Sequence, residues 1–149
     1  MSVVRTAGLA GAALGVDPAC RPRESRTARF TAHCGPSAAV VAVHGELDAA
    51  NAGRLAEYAQ QCAAVAKWLI LDLRGVHFFG TAGFSALHTT NVWCAGADVR
   101  WAVVPSHAVS RLLRICDPEH ALPIVDSAEA LLNPADEPHR LLQLISQSR

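Results

Sequence analysis

The run Gly80-Thr81-Ala82-Gly83 sets one hydroxyl among small residues, after an apolar stretch and before a segment of helical character over residues 84–95. Glycine permits the tight turn such a junction needs, and the turn exposes the first backbone N–H groups of the next helix. A hydroxyl placed there has two uses, and both stay open. It caps the helix, a contribution of about 1 kcal/mol, or it is a group that another protein reads and modifies. A phosphate on it would add about −1.5 to −2 charges and strong acceptor oxygens. The positive end of a helix accommodates that charge, so the domain itself need not unfold.

Other constellations do not assemble. Gly80-Thr81-Ala82-Gly83 lacks the lysine and the length of a phosphate-cradling loop. Gly83-Phe84-Ser85-Ala86-Leu87 lacks the last glycine of a nucleophile elbow. The seven histidines show no metal spacing, His77 and His88 read as solvated side chains, and Pro118 separates Cys116 from His120. No enzyme class is favoured, and no cofactor or metal is expected. Five cysteines (Cys20, Cys34, Cys62, Cys94, Cys116) without C-x-x-C indicate reduced thiols rather than a zinc site or disulfide framework. The sharper alternative is a redox-sensitive pair, Cys94 with Cys116, near the ends of consecutive helices.

At 149 residues the chain fits one domain with a real core, built mainly from Val, Leu, Ile and Ala because only 5% of residues are aromatic. Its 13 basic and 13 acidic residues balance, which argues against nucleic acid or an acidic membrane surface as partner. Low self-repulsion leaves a homodimer open. No stretch approaches the roughly 20 apolar residues of a membrane span. The Ala/Gly-rich start is weakly hydrophobic, and Asp17-Pro18 falls where a signal-peptide cleavage site would be wanted. Residues 1–27 are therefore expected to be a poorly ordered extension of a cytoplasmic protein.

Residues 28–34 and 38–44 read as two strands of a hairpin around Gly35-Pro36-Ser37. Asp48 and Asn51 are candidate caps for a helix of about four turns carrying Leu55, Tyr58, Ala59, Cys62 and Ala66 on one face. The apolar run 68–73 is a strand buried on both faces, followed by the helix after Gly80, which ends at Gly96-Ala97-Asp98. Residues 99–104 form the next strand, and Ser106 caps a helix with Val109, Leu112, Leu113 and Cys116 on one face. Residues 122–125 read as a short last strand. Asp126 and Glu129 resemble a capping box for a helix through Leu132, and Leu141, Leu142 and Ile145 indicate one more helical piece in a tail of residues 133–149. The order β-β-α-β-α-β-α-β-α calls for an α/β domain over residues 28–132, with a mostly parallel mixed sheet and an N-terminal hairpin.

Three segments then coincide: Gly45-Glu46-Leu47-Asp48, the stretch Leu71-Asp72-Leu73-Arg74-Gly75-Val76-His77-Phe78-Phe79-Gly80-Thr81-Ala82-Gly83-Phe84, and Val103-Val104-Pro105-Ser106 ahead of Val109-Ser110-Arg111-Leu112-Leu113. Together they resemble the STAS domain of bacterial anti-sigma-factor antagonists. The first box and the turn carry the resemblance as a pair; either alone is weak. The resemblance implies a non-enzymatic switch in transcription regulation, of the kind used in stress responses. Its partner would be an anti-sigma factor with serine/threonine kinase activity, bound by the unmodified antagonist and released on phosphorylation. By position the phosphoacceptor is Thr81, with Asp48, Phe79, Gly80, Ala82 and Gly83 around it as partner contacts. Phe78 and Phe79 alternate, so one is expected inside and the other exposed. The family commonly has Asp-Ser-Ser-Gly at this turn; here the hydroxyl stays, while the preceding carboxylate and the second hydroxyl are absent. The small residues also leave room for the alternative function, a nucleotide- or lipid-sensing domain without phosphorylation.

Overall fold

The computed structural model describes residues 21–35 and 37–125. They form β1 (Arg23–Glu24), β2 (Ala28–Cys34), β3 (Ala38–Leu47), α1 (Ala52–Cys62), β4 (Trp68–Phe79), α2 (Thr81–Ala97), β5 (Arg100–Val104) and α3 (His107–Cys116). The strands make one mixed sheet in the order β1-β2-β3-β4-β5. Pairing is antiparallel from β1 to β3 and parallel from β3 to β5.

Because β4 lies between β3 and β5, both of its faces must be apolar, and its sequence supplies this. Leu69, Leu71 and Leu73 pack with Val41, Val43, Leu55, Tyr58, Leu87 and Val109 in the core under the helices. Trp68 and Ile70 turn the other way and are buried beside Ala102, Val104 and Val125. Ser106 caps α3 as its spacing predicts: its hydroxyl accepts from the Val109 N–H at 3.2 Å. Asp98 ends α2 in the left-handed conformation (φ 59°), which a short polar side chain tolerates.

The bounds differ from the sequence expectation in instructive places. Strand β1 falls in the segment read as an extension. It has no apolar period to announce it, and a turn holds it: Ser25 N–H donates to the Ala28 carbonyl at 2.8 Å, and Ala28 N–H to Ser25 Oγ at 3.1 Å. With β1 added, antiparallel pairs equal parallel ones, so the sheet is evenly mixed. Helix α1 stops at Cys62, so Ala66 lies outside it. The expected last strand is a single parallel bridge, Val103 with Ile124: the Val103 N–H donates to the Pro123 carbonyl and the Val125 N–H to the Val103 carbonyl, while the Ile124 N–H turns back to the Leu122 carbonyl. The helices expected after Asp126 lie outside the described residues.

Strand β4 is also longer than its apolar run, reaching Phe79, and it carries two irregularities. Ala42 pairs with Asp72 but His44 with Gly75, and Gly45 pairs with Val76 but Glu46 with Phe78. Each shift is a bulge that adds one residue to β4. Its inward positions therefore run Leu69, Leu71, Leu73, then Val76, then Phe79.

Gly45 permits the close approach of β2 and β3 beside these bulges. Its φ is +112°, and a Cβ there would lie 2.1 Å from the Thr27 carbonyl oxygen. Gly45→Ala is expected to lower the unfolding free energy by about 2–4 kcal/mol in urea titrations. Gly53 is the control: it lies in the first turn of α1, and no atom comes within 4 Å of where its Cβ would stand. Gly53→Ala is expected to raise stability by about 0.5 kcal/mol. Equal effects of the two changes would contradict the steric account.

Candidate functional site

The last register pair of β3 and β4 is Leu47 with Phe79, and the Gly80 N–H donates to the Leu47 carbonyl at 3.0 Å. Asp48 and Gly80 thus leave the sheet side by side. The β3–α1 loop is fixed by Asn51, which is only 2% exposed. Its Oδ1 accepts from the Asp48 N–H at 3.0 Å, and its Nδ2 donates to the Glu46 carbonyl at 2.8 Å and to Thr27 Oγ1 at 3.1 Å. Asn51 holds the N-cap position of α1 without a side-chain cap bond; it ties the loop to the β1–β2 turn and to β3 instead. Asp48 Oδ1 accepts from the Ala50 N–H at 2.9 Å, which closes the turn and leaves Asp48 half-buried on its rim.

Thr81 is exposed, and it is the first residue of α2 rather than its cap. Gly80 takes the N-cap position in extended conformation (φ −88°, ψ 178°), with no side-chain cap bond. The capping role considered for the Thr81 hydroxyl therefore falls to backbone, and among the described residues that hydroxyl has no hydrogen-bond partner. The first turn of α2 holds no acidic residue, so none of its own side chains opposes an anion at its N–H groups.

The residues expected around Thr81 divide into surface and support. Gly80 and Ala82 are half-buried, and Ala82 packs with Ala52, Ala56 and Ala86 where α2 meets α1. Phe79, expected as a contact, is 6% exposed, and its ring fills the space beside Gly83, where a Cβ would come within 2.4 Å of Phe79 Cε1. Gly83 is buried for the same reason. The exposed aromatic is Phe78, 51% accessible, with its ring against Gly80. Regular alternation from Leu69, Leu71 and Leu73 already points Phe79 inward and Phe78 outward; the first bulge moves the inward position to Val76, and the second brings it back into step at Phe79. The signal was Gly75: a glycine inside a strand marks a bulge or a close approach, and here a Cβ would meet the His44 ring at 2.7 Å.

Farther along β4, Arg74 makes two 3.0 Å bonds to the Asp72 carboxylate. Burial pushes the Asp72 carboxyl up, but hydrogen bonds and charge from Arg74, with His44 adding, outweigh it and leave the group below its ordinary value. A cleft of about 330 Å³ lies there, lined by Arg74, Val76, His77, Ser106, His107, Ala108 and Arg111, and none of residues 80–83 borders it. Cys94 is buried, and desolvation pushes its thiol up to about 12, whereas Cys116 is half-buried at the end of α3. At neutral pH Cys94 is thus a protonated, weakly nucleophilic sulfur. Among the described residues, no three His, Cys, Asp or Glu side chains are grouped to hold a metal, and no helix is long and apolar enough to cross a membrane.

The sequence matches the family model of the STAS domain over residues 29–144. It is 34% identical over 123 residues to Osmosensory protein A of Mycobacterium tuberculosis, covering 79% of this chain and 78% of that protein. Among solved structures, an anti-sigma factor antagonist from Mycobacterium paratuberculosis superposes with a TM-score of 0.60 at 21% identity, over 79% of this chain and 94% of that one. The anti-sigma factor antagonist SpoIIAA, in its unphosphorylated form, gives 0.57 at 14% identity over 68% and 92%. These two likenesses establish the fold.

The Asp72–Arg74 pair predicts a pH dependence. A carboxyl whose folded pKa is depressed stabilises the fold above its unfolded value, about 3.9, and loses that contribution as pH falls toward the folded value. Urea midpoints of the parent and Asp72→Asn should therefore differ most above about pH 5 and draw together as pH falls below the unfolded value of about 3.9. A constant gap across that range would contradict the assignment.

Proposed function

The chain belongs to the STAS domain family, and from that premise we propose that it is a regulatory binding protein of the anti-sigma-factor-antagonist kind. The observation that carries the proposal is the Thr81 hydroxyl: exposed, unbonded among the described residues, and seated at the positive end of α2 beside the exposed ring of Phe78. The unmodified turn docks on an anti-sigma factor with serine/threonine kinase activity. The partner supplies the catalysis, transferring a phosphoryl group to Thr81 Oγ1, so this chain needs no active site of its own. Sharing a compartment with a sigma factor makes the protein cytoplasmic.

The surface around Thr81 suits such a partner. No Asp, Glu, Lys or Arg occurs in α2, and Thr81, Ser85, His88 and Val92 are exposed along it. Depletion of charge is what distinguishes the centre of a protein interface. A dianion at Thr81 would interact favourably with the helix N-terminus, but a partner built for a neutral turn would have to desolvate it. Asp48, leaving the sheet beside Gly80, adds a second negative charge at the same rim. Modification therefore separates the pair without unfolding either member. The relative's name, Osmosensory protein A, makes osmotic stress a condition to test for this chain.

A second reading has one observation in its favour, the basic lining of the cleft at Arg74 and Arg111. A nucleotide seated there would raise Tm at millimolar ATP or GTP in the parent and not in Arg111→Ala. No shift in either protein would remove this reading.

Binding should be measured by calorimetry against each kinase-type anti-sigma factor of the source genome. Thr81→Glu is expected to weaken binding by about tenfold or more, and Phe78→Ser by a similar factor without lowering Tm. Thr81→Ala should bind in the presence or absence of ATP, while the parent dissociates once ATP is added. All three variants binding as the parent does, with and without ATP, would exclude the switch.

A further inference from the structure

We propose that Cys34 and Cys62 are a redox-modification site, joined as a disulfide when the protein meets a hydroperoxide. Their side chains enter the same seam. On β2, alternation places Ala28, Phe30, Ala32 and Cys34 toward the helices. On α1, Leu55, Tyr58, Ala59 and Cys62 face the sheet. The two elements run in the same direction, because the β3-α1-β4 crossover sends α1 back against β3, as the hairpin does β2. The rings of Phe30 and Tyr58 meet with centroids 5.9 Å apart. Further along both elements, Cys34 Sγ lies 4.0 Å from the Cys62 carbonyl oxygen.

The pair also has the asymmetry the chemistry requires. Cys34 is exposed and ends its strand, whereas Cys62 is buried and ends its helix. Terminal residues of elements adjust more readily than central ones, which lets the sulfurs reach bonding geometry. The exposed Cys34 thiolate attacks the O–O bond of the hydroperoxide. An S–O bond forms, the O–O bond breaks, and the leaving oxygen departs as water or an alcohol. Cys62 then attacks the Cys34 sulfur, its proton leaving with the displaced oxygen as water. Two thiols have lost two hydrogens, and one hydroperoxide has been reduced. The bond would fasten the β2 end of the sheet to the far end of α1, whose near end carries the Asp48–Asn51 loop.

Tryptic cleavage after Arg29, Arg54 and Lys67 gives peptides 30–54 and 55–67, which hold Cys34 and Cys62 respectively as their single cysteines. The full chain, treated with hydrogen peroxide, alkylated and digested without reductant, should yield these peptides linked at their summed mass less two hydrogens. Tm should rise by several degrees on oxidation, because a cross-link of this span restricts the unfolded chain. Cys34→Ser should abolish both effects while matching the reduced parent in Tm. Recovery of Cys34 unlinked, whether alkylated or as sulfinic acid, or bonded to any other cysteine, would overturn the proposal.

Discussion

The bond from the Gly80 N–H to the Leu47 carbonyl closes the end of the sheet, and the outer features of the molecule are placed by it. It sets the β3–α1 loop and the β4–α2 turn side by side and fixes the angle at which α2 departs. Asn51 makes that loop rigid from within. A buried amide left unbonded would be costly, so Asn51 is held to one position by donors and acceptors from the β1–β2 turn, β3 and its own loop. The turn that presents Thr81 therefore rests on a satisfied polar knot, not on loop flexibility.

Much of this architecture was legible in the chain. The both-faced apolarity of residues 68–73 gave the central strand, the Leu55, Tyr58, Ala59 and Cys62 spacing gave the inner face of α1, and Ser106 gave the start of α3. Each is a local signal of burial or capping that packing then reinforces. Features set by pairing were not legible. Two residues of β1 have no period of their own, and residues 122–125 resemble a strand but find one bridge.

The site shows the same division. The position of Thr81 could be read from the small residues that flank it. Alternation from Leu69, Leu71 and Leu73 points Phe79 inward and Phe78 outward, but the two bulges on the way are not legible in it. The first bulge moves the inward position to Val76 and the second restores the original parity, so the core takes Phe79 and Gly83 makes room for its ring. Phe78 is thereby turned out beside Thr81. The central role of Asn51 was also hidden: its type and place match an ordinary helix cap, and its other partners come from the β1–β2 turn at Thr27, from Glu46 of β3 and from the Asp48 N–H.

The proposed docking site for a kinase-type anti-sigma factor lies at this one end of the domain, on the Asp48–Asn51 loop with Phe78, Thr81 and the outer side of α2. Amide hydrogen exchange on the chain alone and in complex with that partner tests this most directly. New protection is expected in residues 48–51 and 78–92, with β1 and β2 exchanging as in the isolated chain. Protection confined to β1, β2 or the far end of α1, with residues 78–92 unchanged, would contradict it.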